Sequence, residues 1–344
     1  MIDRIYAEHA WEQASALLSI DSPTGFTAKA AKWVYDQFIA LGYQARITEK
    51  GGVLADLGGS GEGLVLAAHA DTLGAMVCQI KGNGRLKLTP LGGLSPQNTE
   101  AENLRVYTRE GKIYEGTAQL SNASIHVNPD YKTAPRSFDT LEVVLDEAVA
   151  SADDVRKLGI QVGDIVCFDP RTRKTDSGYL KSRFLDDKLS VGILLGLARY
   201  LKEQSISPTR HLWVYVTVFE EVGHGGSASI PEDVKEIISV DMGCVGDGLQ
   251  CTERQVSICA KDSGGPYHYD VVGKLICAAT TAGCDYAVDV YPFYGSDAEA
   301  TLRAGYDLRH GLIGPGVYAS HGYERSHIDG VFNTLKLLAC YLSQ

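Results

Sequence analysis

The chain has 344 residues, of which 44% are hydrophobic, and its 43 acidic side chains outnumber 32 Lys and Arg to give a formal net charge of −11 at pH 7. This balance excludes a nucleic-acid partner, because affinity for nucleic acid depends on Lys and Arg that neutralise phosphates. The longest apolar stretches, 64–70 and 189–199, are shorter than the roughly 20 residues of a membrane-spanning helix, so we expect no membrane association.

The start of the chain and its cysteines predict a cytoplasmic protein. The segment MIDRIYAEHAWEQA carries both charge signs from residue 3 onward and has no apolar run of the secretory kind. The eight cysteines are scattered and form no C-x-x-C pair. We therefore expect reduced thiols and no zinc site built from cysteine.

The first 70 residues alternate helical and extended patterns. Apolar residues at helical spacing predict helices over 5–19 and 27–41, and extended runs follow at 44–48, 53–57 and 64–70. The last run, LVLAAHA, is apolar on both faces, which is typical of a central strand in a covered sheet. This alternation indicates a layered α/β domain.

Residues 75–175 have a different character. Short strand-like runs separated by turn residues, with little helical periodicity, predict an inserted β-domain of the sandwich or barrel type. Helical and extended patterns return afterwards at 187–203, 211–219, 236–241, 268–283 and 331–342. We therefore predict a three-layer α/β/α core, formed by residues 1–74 and 176–344, that is split by an all-β insert at 75–175.

Acidic and histidine side chains gather where the predicted strands end. In open α/β sheets, ligand sites form outside the carboxyl ends of strands, so these side chains are expected to converge. Two carboxylates open the helix at 187, and two histidines lie in a loop before the last helix. The set consists of His69, Asp71, Asp186, Asp187, Glu220, Glu221, Asp241, His321 and His327.

The chemistry of this set favours metal ions. Several carboxylates brought together repel one another unless a cation neutralises them, and imidazole with carboxylate ligands suits zinc or cobalt-like divalent ions. Two ions about 3.5–4 Å apart, bridged by one carboxylate, hold a hydroxide and a substrate carbonyl together. A further carboxylate must then take the proton of the water, and the Asp of a His-x-Asp pair can fix the tautomer of the histidine.

Each feature also has an interpretation without function. Asp186 and Asp187 fit an N-cap with a favourable contact to the helix dipole. Glu220 and Glu221 fit a solvated strand end, His69 fits a hydrogen-bonded core histidine, and Asp241 fits a turn residue. Their conjunction at strand ends nevertheless favours a metal site over five separate coincidences.

Five short motifs carry a family resemblance, and they occur in the family's order. They are AHADTLGAMV at 68–77, FLDDKLSVG at 184–192, TVFEEVGHGG at 217–226, VDMG at 240–243 and GSDAEA at 295–300. With SPTG at 22–25, they resemble the tetrahedral or glutamyl aminopeptidase family of dinuclear metallopeptidases. The insert, with GIQVGD at 159–164, is similar to the second domain of that family.

The resemblance implies a role for each site residue. Asp186 matches the carboxylate that bridges two ions, zinc being the expected metal and cobalt or manganese the alternatives. Glu221 and His321 would complete one ion, and His69 and Asp241 would complete the other. Asp71 is then the orienting partner of His69, and Glu220 is the general base. Ser296 and Asp297 match the Thr-Asp of the family's substrate-side loop.

The chain departs from the family pattern near its last histidine. The run GVYASHGYERSH at 316–327 lacks the family's arginine, with Tyr318 near that place, and its continuation is one residue shorter. His321 fits the ligand position best, and His327 is a competitor. His224 stands where the family tends to have an aliphatic residue, either facing substrate or hydrogen-bonded within its loop.

The resemblance implies a metal-dependent aminopeptidase that removes N-terminal residues from short peptides, through a hydroxide bound by two metal ions with Glu220 as base. An amidase or deacylase acting on N-acyl or modified small peptides uses the same ions, and a non-catalytic peptide-binding scaffold is a third hypothesis. Family members commonly build homo-oligomers, dodecamers among them, through the inserted domain. We therefore expect this chain to form a homo-oligomer of the same kind through residues 75–175.

Overall fold

The computed structural model describes residues 2–343, which form two compact units. One unit runs up to Asp71 and resumes at Arg171, and the other spans Thr72–Pro170. The boundaries predicted from the sequence, 74/75 and 175/176, differ from these by a few residues. Within the described residues, none of the helices combines the length and apolarity that a membrane crossing requires.

The first part of the chain follows the predicted order of elements. Its elements are α1 (Ile5–Leu18), α2 (Ala28–Ala40), β1 (Gln44–Ile47), β2 (Val53–Gly58) and β3 (Gly63–His69). Strand β3 is buried along its whole length, as its two-sided apolar sequence predicts.

The unit at Thr72–Pro170 is a closed six-stranded barrel, which decides between the two predicted types of β-domain. Its elements are β4 (Gly74–Ile80), β5 (Leu86–Leu91), β6 (Asn103–Tyr107), β7 (Ile113–Leu120), β8 (Leu141–Leu145), α3 (Ala152–Lys157) and β9 (Ile165–Phe168). The strands neighbour one another in the order β4-β5-β8-β7-β6-β9, and every pair is antiparallel.

The rest of the first unit carries the helices and strands that complete its sheet. In chain order they are β10 (Arg173–Lys174), β11 (Tyr179–Ser182), α4 (Leu185–Glu203), β12 (Leu212–Thr217), β13 (Val234–Val240), β14 (Gly243–Val245), β15 (Val256–Lys261), α5 (Tyr269–Thr281), β16 (Tyr286–Val290), α6 (Asp297–Arg303), β17 (Arg309–Tyr318), β18 (Glu324–His327) and α7 (Ile328–Tyr341).

A twelve-stranded mixed sheet organises the first unit. Its main path runs β1-β2-β12-β3-β13-β17-β18-β11-β10, and β12, β3, β13 and β17 are parallel to one another. Because these central strands run in one direction, their carboxyl ends share one edge of the sheet. The predicted fold class, an α/β core with an inserted all-β domain, is confirmed.

The two faces of the sheet bury separate apolar clusters, and β3 shows how. Leu64, Leu66 and Ala68 face the cluster that includes α1, α2, α4 and α7, whereas Val65 and Ala67 face the cluster that includes Ala298 of α6. Alternate residues of a strand point to opposite faces, so one apolar run serves both layers. This burial on both sides fixes the position of the strand end at His69.

Candidate active site

The carboxyl ends of β3, β12 and β13 lie side by side and bring the predicted residues to one edge of the sheet. His69 is the last residue of β3, Glu220 and Glu221 follow β12, and Asp241 follows β13. Asp186 comes from the start of α4 and His321 from the turn between β17 and β18. A cavity of about 410 Å³ opens here, lined in part by Asp186, Glu220, Glu221, Asp241, Ser296 and His321.

Asp186 lies between two imidazoles. Its Oδ1 is 3.1 Å from His69 Nε2, and its Oδ2 is 3.6 Å from His321 Nε2. Burial alone would raise the pKa of Asp186, but the interactions with His321 and His69 outweigh burial and hold it below its ordinary value. The Asp186 carboxylate in turn raises the pKa of His321 to about 10. One carboxylate thus faces both histidines, each through a different oxygen.

Asp241 and Asp187 also lie close to His69. Ligand-type atoms of His69, Asp187 and Asp241 all lie within 4.8 Å of one another. Burial and the nearby Asp186 carboxylate raise the pKa of Asp241 to about 7. Asp187 accepts a hydrogen bond from the His69 backbone N–H at its Oδ2, at 3.2 Å. It belongs to the candidate set predicted from the sequence, although the family resemblance gave it no ligand role.

Glu220 and Glu221 form a short 3₁₀ turn directly after β12. Glu220 Oε2 lies 3.8 Å from His69 Nε2, and Glu221 Oε2 lies 3.6 Å from His321 Nε2. Their side chains are only 15% and 4% exposed, so they are not a solvated strand end. Burial raises the pKa of both carboxyl groups well above the ordinary value.

Asp71 supports this turn through hydrogen bonds to its backbone. Its Oδ1 and Oδ2 accept the backbone N–H groups of Glu220 and Glu221 at 3.1 and 3.4 Å, and Thr24 donates its hydroxyl to Oδ2 at 2.7 Å. His69 Nδ1 lies closer to the backbone carbonyl oxygen of Asp71, at 2.9 Å, than to its carboxylate, at 3.6 Å. Because a carbonyl oxygen only accepts, Nδ1 carries a proton, and Nε2 is the ring nitrogen that faces Asp186 and the site.

Glu324 is a further buried carboxylate that sequence reasoning missed. Its two oxygens accept backbone N–H groups of Asp186 and His321, each at 3.0 Å. Burial and the Asp186 carboxylate raise the pKa of Glu324 to about 8. Its place three residues after His321 gave no chemical signal, since both contacts are made to backbone groups.

The two substrate-side residues have different surroundings. Ser296 lines the cavity, and its Oγ is 2.9 Å from the hydroxyl of Tyr267. Asp297 instead accepts the backbone N–H of Gly226 at 2.6 Å and the hydroxyl of Thr217. Asp297 therefore holds the loop that follows Glu221.

His327, the competitor for the ligand position, and His224 make their contacts elsewhere. His327 Nε2 lies 2.8 Å from the Ser177 carbonyl oxygen, and its Nδ1 accepts the Asp329 backbone N–H at 3.0 Å. His224 stacks on Phe219 with ring centroids 5.2 Å apart. His321, and not His327, therefore lies with the carboxylates, and His224 fits the interpretation of a loop histidine.

The donor set suits divalent ions. Five buried or nearly buried carboxyl groups face two imidazoles, and burial raises the pKa of four of them because cationic neighbours do not offset it. Imidazole nitrogens and carboxylate oxygens in this ratio are ligands of zinc and similar metals. The five carboxyl groups are those of Asp186, Asp187, Glu220, Glu221 and Asp241.

The α/β core, the inserted barrel and the site are together those of the aminopeptidase class of hydrolases. The family model for the M42 glutamyl aminopeptidases matches residues 51–337. The chain belongs to this family, and the resemblance predicted from five sequence motifs is confirmed.

Known proteins agree with this assignment. YhfE of Bacillus subtilis (strain 168), named as a candidate aminopeptidase, is 42% identical over 333 residues, 96% of each chain. Aminopeptidase APDkam598 of Desulfurococcus kamchatkensis has a TM-score of 0.88 at 22% identity and covers 98% of this chain and 96% of its own. The TET1 peptidase of Pyrococcus horikoshii, which can assemble into a tetrahedron or a large octahedral shell, has a TM-score of 0.85 at 19% identity, with coverages of 97% and 99%. The two structural likenesses concern the fold alone.

Proposed function

We propose that this protein is a metal-dependent aminopeptidase that removes N-terminal residues from short peptides. One observation carries the proposal: the Asp186 carboxylate faces His69 with one oxygen and His321 with the other, at 3.1 and 3.6 Å. A carboxylate shared between two nitrogen ligands is suited to bridge a pair of neighbouring ions. Membership of the M42 family supports the same assignment.

The residues divide into two overlapping ligand sets. His69, Asp186 and Asp241 would hold one ion, and Asp186, Glu221 and His321 would hold the other. Zinc is the expected metal, with cobalt or manganese as alternatives, because the donors are imidazole and carboxylate. When bound, such ions polarise a substrate carbonyl and lower the pKa of water.

Glu220 is proposed as the general base. Its carboxylate borders the cavity, with Oε2 3.8 Å from His69 Nε2, and its backbone is fixed by Asp71. It accepts a proton from the attacking water while the carbon–oxygen bond forms. It then passes that proton to the departing amine nitrogen as the carbon–nitrogen bond breaks.

A substrate screen tests the proposal directly. Purified protein is assayed on aminoacyl and short-peptide substrates, with free and with acylated N-termini, after addition of zinc, cobalt or manganese. Cleavage restricted to free N-termini, lost after chelation and restored by metal, is expected. Cleavage of the acylated substrates alone would assign the amidase or deacylase function, and inactivity with every metal would favour a peptide-binding scaffold.

We also propose that residues 75–175 mediate self-association, up to a dodecamer. The assembly of the TET1 peptidase of Pyrococcus horikoshii into closed shells supports this for a chain of the same fold. Light scattering coupled to size-exclusion chromatography is expected to give a mass several times 37.1 kDa. A stable monomer would contradict the proposal. A cytoplasmic location also stays a prediction.

The metal-free protein should lose stability as pH rises from about 4 to about 8. Burial raises the pKa of Asp241 from 3.8 to about 7 and that of Glu324 from 4.5 to about 8. In this window the folded chain binds more protons than the unfolded chain, so the free energy of unfolding falls with pH. Interaction with Asp186 raises the pKa of His321 from 6.5 to about 10, which extends the fall above pH 6.5. Asp186, whose pKa lies below its ordinary value of 3.8, is ionised in the folded chain throughout, and it is ionised in the unfolded chain over all but the acid end of this window.

Denaturant unfolding in the presence of a chelator measures this dependence. Added zinc should stabilise the protein more at pH 8 than at pH 5, because metal ligands must be deprotonated to bind. A metal-free protein whose stability increases across this range would contradict the expected sign.

A further inference from the structure

The carboxylate of Glu324 joins two residues that are far apart in the chain. Its Oε2 accepts the Asp186 backbone N–H and its Oε1 accepts the His321 backbone N–H, both at 3.0 Å. The residue is 2% exposed, so the carboxylate is withdrawn from water to make these contacts. We propose that Glu324 is a positioning residue that sets the distance between Asp186 and His321 and thereby the affinity for the ion they share. This inference rests on the metal centre of the proposed function.

Both partners of Glu324 need such support. His321 has φ of 61° and Ala319, two residues earlier, has φ of 59°, so the turn from β17 to β18 uses the left-handed region twice without glycine. Non-glycine residues adopt this region at a cost and keep it only where neighbouring contacts enforce it. Asp186 lies at the start of α4 with φ −74° and ψ 102°, outside helical geometry. Its N–H therefore needs an acceptor from outside the helix.

Asp71 makes the same kind of contact with two other residues of the site. Its two oxygens accept the backbone N–H groups of Glu220 and Glu221. Two buried carboxylates therefore fix four site residues through their backbones and leave the four side chains free to face the cavity. Glu324 thus holds Asp186 and His321. In the described part of the chain, His69 and Asp241 make no hydrogen bond to Glu324.

The effect of Glu324 should therefore be selective. The ion proposed to lie among Asp186, Glu221 and His321 depends on the distance that Glu324 sets. The ion at His69 and Asp241 shares Asp186 with it but keeps two further ligands that Glu324 does not hold. Loss of a residue that orients metal ligands typically weakens metal affinity by about 10–100-fold. Weakened binding of one ion, with the other retained, is the expected signature.

The test compares Glu324→Gln with a matched control, Asp289→Asn. Gln keeps the size of Glu, but its amide nitrogen cannot accept, so one of the two backbone N–H groups loses its partner. Asp289 is also a buried carboxylate, 5% exposed, and accepts the backbone N–H groups of Gln250 and Cys251 at 2.8 and 3.0 Å. Neither of these residues lines the cavity. The control thus loses the same kind of hydrogen bond away from the site.

Calorimetric titration of metal-depleted protein with zinc, together with metal content after dialysis, gives the readout. In Glu324→Gln one of two ions should bind about 10–100-fold more weakly, and excess zinc should restore activity. Asp289→Asn should bind both ions like the wild type even if its melting temperature falls. Equal zinc affinity in Glu324→Gln and wild type, or equal weakening in both variants, would overturn the inference.

A shorter side chain covers the case in which Glu324→Gln does not fold. Glu324→Asp retains the charge but loses one methylene, so it reaches only one of the two N–H groups and should weaken the same ion to a smaller extent. Unchanged zinc affinity in this variant also overturns the inference. A wild-type protein that binds no divalent metal overturns the proposed function instead, and the two failures are therefore distinguishable.

Discussion

Replacing Glu220 by Gln is expected to lower kcat by about 100- to 10,000-fold, the contribution typical of a general base, while the metal content stays that of the wild type. Gln has the size of Glu but cannot take up a proton. The turn that carries residue 220 should persist, because Asp71 binds the backbone N–H of Glu220 and not its side chain. The loss should therefore appear in kcat, with little change in KM.

Steady-state kinetics and metal analysis on the same preparation check this result. Glu232→Gln is the control, because Glu232 is exposed and lies after the loop that follows Glu221. This variant should match the wild type in both measurements. Turnover preserved in Glu220→Gln would remove the residue from the mechanism. If the variant instead lost an ion, Glu220 would be a metal ligand and not the general base. Its Oε2, 3.8 Å from His69 Nε2, would then bind the same ion as His69.

The edge of the sheet that carries the site was predictable because apolar strands and their ends are encoded locally. The two-sided apolar run of β3 marks a central strand, and such strands present their carboxyl ends to a common edge. The sequence alone therefore predicts that His69, Glu220, Glu221 and Asp241 meet. The alternation of patterns also located the insert, although it did not separate a sandwich from a barrel.

Strand β17 shows where local pattern fails. Its sequence RHGLIGPGVY contains three glycines and one proline, which read as turn signals, yet it is a ten-residue strand in the sheet. Tertiary packing requires two of these glycines. A Cβ at Gly314 would collide with the carbonyl oxygen of Asp241, and a Cβ at Gly316 would collide with the carbonyl oxygen of Thr252. The residues that require glycine at these positions lie more than 60 residues earlier in the chain. The local sequence of β17 therefore shows no periodicity that would predict a strand.

Glu324 was missed, and the contact made by Asp187 was not predicted, because both carboxylates act on backbone groups. Asp187 and Glu324 accept N–H groups of His69, Asp186 and His321. Any residue type supplies a backbone N–H, so no motif or spacing reveals the partner of such a carboxylate. The carboxylate of Asp71 was predicted to orient His69, but its hydrogen bonds lead to the backbone of Glu220 and Glu221. Residue types thus indicate the metal chemistry, whereas the supporting contacts depend on the fold.

Asp186→Asn tests the bridging role and should be the most damaging single change at the site. The neutral amide has one oxygen, so it can no longer offer an anionic oxygen to both His69 and His321. We expect both ions to bind more weakly by a factor above the roughly 10–100-fold caused by loss of an orienting residue, with turnover lost under the same conditions. Metal content after dialysis is the measurement, and Asp289→Asn again controls for the loss of a buried charge.

The comparison between Asp186→Asn and Glu324→Gln separates a shared ligand from a residue that positions it. If Asp186 bridges, its replacement affects both ions together, whereas replacement of Glu324 affects the ion near His321 and leaves the other in place. A fully metallated Asp186→Asn protein would contradict the bridging role and leave Asp187, whose carboxylate lies within 4.8 Å of His69 and Asp241 ligand atoms, as the carboxylate to test next. Loss of only one ion would make Asp186 a ligand of a single metal, and the two ligand sets would then be separate.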